Sequence, residues 1–364
     1  LQNQSVVMIQ KGLAGEPRVF VDPNALSPDG TTTVRFIGKS RDNRFLAMAR
    51  SEGGADWQEI RVIRVEDGLE LSDRIQWVKF SGVAWYRDGF YYCAYDPPAA
   101  GKELSGPNEY QKVYYHRLGE SQIQDRLIYE DRAHPRRFFR VGITDDGRYL
   151  VVSVSEGTDG TEIMLGEAEP GSGTFSVVLP GFEHNHTVLD HQSGKLLVLT
   201  NHDAPNYRVV AVDPGCPERH AWKELVAQRD EVISNASVAG GRLVLTYLKD
   251  VSSRVYRFSL DGRPEGEVVL PGVGTVEGFQ GAKSERRQFY TFSSFTAPPA
   301  IYVLDVASGE SELFRRTEVP FDPSNFETRQ EFFASKDGTR VPLFIVSRKG
   351  LERNGRNPVY LYAY

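Results

Sequence analysis

A short β-rich segment recurs seven times along these 364 residues, and no other feature restricts the fold as much. The copies are Val6-Val7-Met8-Ile9, Ile60-Arg61-Val62-Ile63, Val113-Tyr114-Tyr115-His116, Ile163-Met164-Leu165, Val209-Val210-Ala211-Val212, Val255-Tyr256-Arg257-Phe258 and Ile301-Tyr302-Val303-Leu304. Their first residues stand 54, 53 and 50 residues apart and then three times 46. A second series, a polar turn running into an apolar strand, precedes every copy after the first: Asp42-Asn43-Arg44-Phe45, Asp88-Gly89-Phe90, Asp146-Gly147-Arg148-Tyr149, Gly194-Lys195-Leu196, Gly241-Arg242-Leu243 and Arg287-Gln288-Phe289. Two series in phase point to a repeat architecture, and a period of about 45 to 50 residues holding roughly four short strands is that of a propeller blade. Seven copies predict a seven-bladed β-propeller. The first copy has no turn and strand before it, so its blade is expected to be incomplete, with inner strands upstream or supplied otherwise. No WD or Gly-His signature marks the blades.

Composition agrees with an all-β chain: 17 Tyr, 20 Phe, 34 Gly and 20 Pro accompany an absence of long runs at helical spacing. A net charge of −6 with both signs interspersed leaves no basic stripe, so neither nucleic acid nor an anionic membrane is an expected partner. No run of about 18 apolar residues is present to span a bilayer. The opening Leu1-Gln2-Asn3-Gln4 resembles neither a signal peptide nor an initiator. With only Cys93 and Cys216 there is no disulfide framework, and a cytoplasmic location is expected, a periplasmic one staying open.

The period breaks after about Arg316. Glu331-Phe332-Phe333-Ala334-Ser335, a turn at Lys336-Asp337-Gly338-Thr339, and Val341 to Ser347 read as a hairpin of another kind, and Pro358 to Tyr364 read as a further strand. The predicted organisation is a propeller over 1–320 and the beginning of a second domain over 321–364.

Motifs of other chemistries are weak. The G-x-S-x-G turn that would raise a hydrolase serine between strand and helix is absent. Gly38-Lys39-Ser40 has the end of a phosphate loop, but residue 33 is Thr where that loop requires Gly. His184-Asn185-His186, His191 and His202 could offer imidazoles to zinc, yet no carboxylate or Cys stands at helix-type metal spacing, so no metal and no cofactor is expected. Three Asn-x-Ser/Thr sequons lack a secretory context.

Blade geometry gives a sharper lead. Phe80 and Phe138 stand 10 and 11 residues before Phe90 and Tyr149, near the start of the inner strand in successive blades, and should share a face. The loops Ser51-Glu52-Gly53-Gly54-Ala55-Asp56 and Ser155-Glu156-Gly157-Thr158-Asp159 join strands two and three and belong to that face too. Packing between blades is the competing reading for both aromatics.

With these residues in view, the chain resembles the prolyl oligopeptidase family of serine peptidases. Leu1-Gln2-Asn3-Gln4, Val78-Lys79-Phe80-Ser81, Gln111-Lys112-Val113-Tyr114-Tyr115-His116, Pro205-Asn206-Tyr207-Arg208, Ser335-Lys336-Asp337-Gly338-Thr339 and Leu361-Tyr362-Ala363-Tyr364 carry the resemblance. It implies a seven-bladed propeller capping an α/β-hydrolase domain, of which residues 321–364 would be the opening strands, with the Ser, Asp and His of the triad all after Tyr364. It also implies a monomeric enzyme that cuts short proline-containing peptides after proline. Oligopeptidase B, which cleaves after basic residues, is the relative most easily confused with it.

Residue by residue, the resemblance implies that Phe80 lines the substrate pocket from the propeller side, that Asp56 is a charged residue near it, and that Phe138 stands where the family commonly has Met. The family's nearby arginine falls at Ser155 and a neighbouring Cys at Thr158. Tyr364 matches the tyrosine of the Tyr-Gly-Tyr-Gly-Gly segment whose hydroxyl faces the oxyanion, with Ala363 in place of Gly. The expected function is substrate gating and peptide binding for a serine peptidase, with the isolated chain inactive. The alternative is a free-standing propeller that binds a protein or peptide without catalysis.

Overall fold

The computed structural model describes residues 3–363, and it corrects the blade count. Six four-stranded antiparallel sheets are present, each a meander whose strands lie in sequence order. They occupy 33–78, 83–130, 138–179, 186–226, 232–268 and 275–316 and are called blades I to VI. The turn-and-strand series supplies the second strand of all six, and the last six copies of the other series supply the third. The first copy is different. It falls in Val7–Ile9, which pairs only with Arg18–Val21, so a two-stranded sheet stands where an incomplete seventh blade is predicted.

Beyond the blades one more strand pairing is present. Phe326–Ala334 and Arg340–Arg348 pair as an isolated two-stranded sheet, while 358–363 form no strand, so the opening strands of an α/β-hydrolase are not seen. Among the described residues there is no α-helix, only four single 3-10 turns. None of these is long and apolar enough to cross a membrane.

Strand periodicity explains how the blades stack. Successive side chains of a strand point to opposite faces of its sheet. In Gly89–Ala94, all six residues of which are buried, Phe90 and Tyr92 join Ala47, Ile60, Val62 and Trp85 between blades I and II. Tyr91 and Cys93 face the other way and join Phe139, Leu150 and Val152 between blades II and III. Blade III repeats the device, since Val151 packs with Ile163, Leu196 and Val210 against blade IV. A sheet covered on both faces must be apolar on both, which is why these middle strands read as unbroken hydrophobic runs. In blades V and VI, Val244, Val255, Phe279, Tyr290 and Leu304 form the corresponding core.

Polar ties join blades I to IV. The His116 imidazole, fully buried in blade II, bonds Asp125 through Nδ1 at 2.7 Å and Asp73 of blade I through Nε2 at 2.9 Å. Beside it the Gln122 amide donates to the Gln76 carbonyl and accepts from the Gln76 N–H. Arg41, just past the inner strand Thr33–Lys39, reaches beyond blade II and donates to the carbonyls of Thr144 and Asp145 at the end of the blade III inner strand, at 2.6 and 2.8 Å. The chain divides into two compact units, Leu1–Glu224 and Leu225–Tyr364.

Candidate functional site

The linker 79–82 leaves the outer strand of blade I, Glu70–Val78, and enters the inner strand of blade II, Val83–Tyr86. Within it Phe80 has φ 56°, a left-handed conformation that a bulky residue keeps only when its surroundings fix it. Both flanks are fixed. The Gln111 side chain, 1% exposed, donates Nε2 to the Lys79 carbonyl at 2.9 Å, and Ser81 Oγ accepts from the buried Cys93 N–H at 2.9 Å.

Phe80 itself stays 55% exposed and is not covered by the neighbouring blades. It lies 6.3 Å from the half-buried ring of Phe138, tilted by 48°, so the two aromatics that the sequence places on one face are neighbours. Phe138 opens the inner strand of blade III, and the next residue, Phe139, donates its N–H to Gln111 Oε1 at 2.5 Å.

A second aromatic group adjoins the linker. Trp57 meets Trp77 and Tyr95 edge to face at 5.7 and 5.9 Å. The Lys79 ammonium sits 4.0 Å from the Trp57 ring centroid and donates to Asn108 Oδ1 at 3.1 Å, so a largely buried cation is satisfied by a π-face and an amide. Asp56, next to Trp57, is exposed in the loop after Phe45–Ser51. That loop borders a cavity of about 270 Å³ lined by Ser51, Glu52, Ala55, Trp57 and Trp77 among others.

The equivalent loop of blade III is electrostatically different. Glu156 accepts from Arg137 Nε at 2.8 Å, and the same guanidinium donates to Asp131 at 3.1 Å and lies over the Phe182 ring. A guanidinium therefore stands beside this loop although Ser155 holds the position expected for arginine.

Tyr364 lies outside the described residues. The four histidines considered for zinc separate into two environments. His184, His186 and His202 group with ring centroids 4.0 to 6.4 Å apart, next to Trp222. His186 bonds Thr200 Oγ1, and burial together with the neighbouring imidazoles pushes it down to about 4. His191 is elsewhere, bonded to Asp146 at 2.6 Å. Among the described residues no group of three His, Cys, Asp or Glu is placed to hold a metal.

Sequence reasoning names Phe80, Phe138 and the two loops but not Gln111, Lys79, Arg137 or the Trp57 group as neighbours of this surface. Trp57 and Trp77 are detectable as aromatics flanking turn residues. A clamping glutamine carries no signal of its own, because its role depends on two backbone groups 32 and 28 residues away.

Comparison with known proteins follows this geometry. The profile described as "Prolyl oligopeptidase, N-terminal beta-propeller domain" matches residues 1–317. The chain belongs to the prolyl oligopeptidase family. It is the propeller domain of that family of serine peptidases. A prolyl endopeptidase of Elizabethkingia meningoseptica is 37% identical over the whole chain, which covers 51% of that protein. Prolyl oligopeptidase A of Galerina marginata is 29% identical over 95% of the chain and 50% of its own length. Among solved structures, a prolyl endopeptidase from a study of inter-domain dynamics in catalysis and specificity superposes with a TM-score of 0.87 at 33% identity, covering 97% of this chain and 52% of that one. Prolyl oligopeptidase B from Galerina marginata bound to a 25mer macrocyclization substrate gives 0.86 at 25% identity, over 97% and 53%. The chain thus spans about half the length of the curated relatives it matches.

Proposed function

We propose that this prolyl oligopeptidase propeller presents the Phe80 and Phe138 rings as an apolar wall for short peptides cleaved after proline, and so helps to select substrates for a serine peptidase. The supporting observation is the exposed Phe80 ring, held in a left-handed conformation against Phe138. A ring that is merely packing would be covered; one fixed at backbone cost and left open suits a ligand. Asp56 contributes negative charge beside the wall, and Tyr364 donates to the oxyanion of the tetrahedral intermediate, as the family resemblance implies. The enzyme is a cytoplasmic monomer in this reading, and the two free thiols of this chain, Cys93 and Cys216, suit a reducing compartment.

The test is Phe80→Ala in the full-length enzyme. Loss of a partial ring contact, about 0.7 to 1.4 kcal/mol, should raise KM about three- to tenfold for substrates extended on the N-terminal side of proline. A fall in thermal stability with unchanged kinetics would assign Phe80 to packing instead.

A further inference from the structure

Phe80 lies in the linker between blades I and II and Phe138 in blade III, and no strand pairing joins them. What joins them is one side chain. Gln111 precedes the third strand of blade II, Lys112–Arg117, and its amide is almost completely buried. The amide nitrogen donates to the carbonyl of Lys79, the residue before Phe80, and the amide oxygen accepts from the N–H of Phe139, the residue after Phe138. A primary amide both donates and accepts through a rigid plane, so it fixes the spacing of the two backbones it bridges. Directly before it, Tyr110 is also left-handed, with φ 59°, and donates its N–H to the Pro135 carbonyl at 2.7 Å, three residues ahead of Phe138. Residues 110 and 111 therefore bind the approaches to both rings.

We propose that Gln111 is a positioning residue that sets the separation of the Phe80 and Phe138 rings and thereby the selectivity of the wall for extended peptides. This rests on the reading of that pair as substrate-facing. Gln111 itself is too buried to touch substrate. Loss of its amide leaves the linker 79–82 free to relax from the left-handed conformation at Phe80, and the ring moves with it.

Two measurements test this. In the full-length enzyme, Gln111→Leu should raise KM three- to tenfold for a p-nitroanilide carrying three residues before proline, with a smaller change in kcat and a smaller effect on a substrate carrying one. In a Phe80→Ala background the same substitution should add nothing, because the ring it positions is gone. Multiplying effects of the two substitutions, or a loss of thermal stability alone, would overturn the proposal. The second measurement needs no catalysis. With 4-fluorophenylalanine at position 80 of the 364-residue chain, the fluorine resonance should be sharp in the parent and shifted or averaged in Gln111→Leu and in the similarly long Gln111→Met, and an unchanged resonance in a folded variant would also overturn it. If Phe80→Ala leaves KM unaltered, the substrate-facing reading falls, and the fluorine resonance still decides whether Gln111 holds the ring.

Discussion

Both ring nitrogens of His116 face carboxylates, and hydrogen-bond bookkeeping then fixes its charge. Asp73 Oδ1 also accepts the Gly119 N–H, and Asp125 Oδ2 accepts the Tyr92 hydroxyl, so the imidazole must donate from both nitrogens. Burial alone would lower its proton affinity, but the bonds to Asp125 and Asp73 outweigh that and raise it from 6.5 to about 9. Each pH unit of displacement is worth about 1.4 kcal/mol, so the contribution to stability is roughly 3 kcal/mol at most. It is fully present below the unfolded value of 6.5 and is lost as pH rises through about 9. Nitrogen-15 spectra of the ring should show both N–H groups at pH 7.5, and the urea midpoint should fall between pH 6.5 and 9. A neutral His116 ring at pH 7.5 would refute this. His116 stands in a recurring segment and reads there as one more strand residue, because its partners lie 43 positions earlier and 9 later.

The blades were legible because each element is local: a turn, a strand and its neighbour recur within one period, and all six second and third strands fall where the two series place them. The count was not legible. Val6 to Ile9 has strand composition like the other copies, but whether a strand completes a four-stranded sheet depends on partners that its own residues do not encode. Loops show the same limit. Gly157 and Gly160 both lie between the second and third strands of blade III and look equivalent in sequence. At Gly160 φ is 83° and an added Cβ would stand 1.8 Å from the Phe182 carbonyl oxygen, whereas Gly157 has nothing within 4 Å. Gly160→Ala should therefore cost about 3 kcal/mol or more by chemical denaturation, and Gly157→Ala no more than about 0.5 kcal/mol. Equal costs would show that the loop relaxes freely.

For the whole chain, the propeller architecture and the family were readable from the repeat and from dispersed motifs, while the number of blades and the shape of the site were not, the latter because Gln111 joins its neighbours through backbone atoms. The chemistry has its own limit, because residues 1–364 contain no G-x-S-x-G turn to raise a nucleophile beside oxyanion donors. A fluorophosphonate probe should label this chain no faster than its denatured control, and faster labelling would reveal an unrecognised nucleophile. The Arg41 tie bears on how such a chain is made. Every sheet pairs strands adjacent in sequence, whereas the carbonyls held by Arg41 lie 103 and 104 residues away. At a synthesis rate of about 5 to 20 residues per second, those carbonyls leave the ribosome about 5 to 20 s after the guanidinium. Blade I can close before its long-range tie exists, so the tie forms later than the blade it anchors. Contacts that form after the transition state slow unfolding without hastening folding, which makes Arg41 a determinant of how long the finished domain survives.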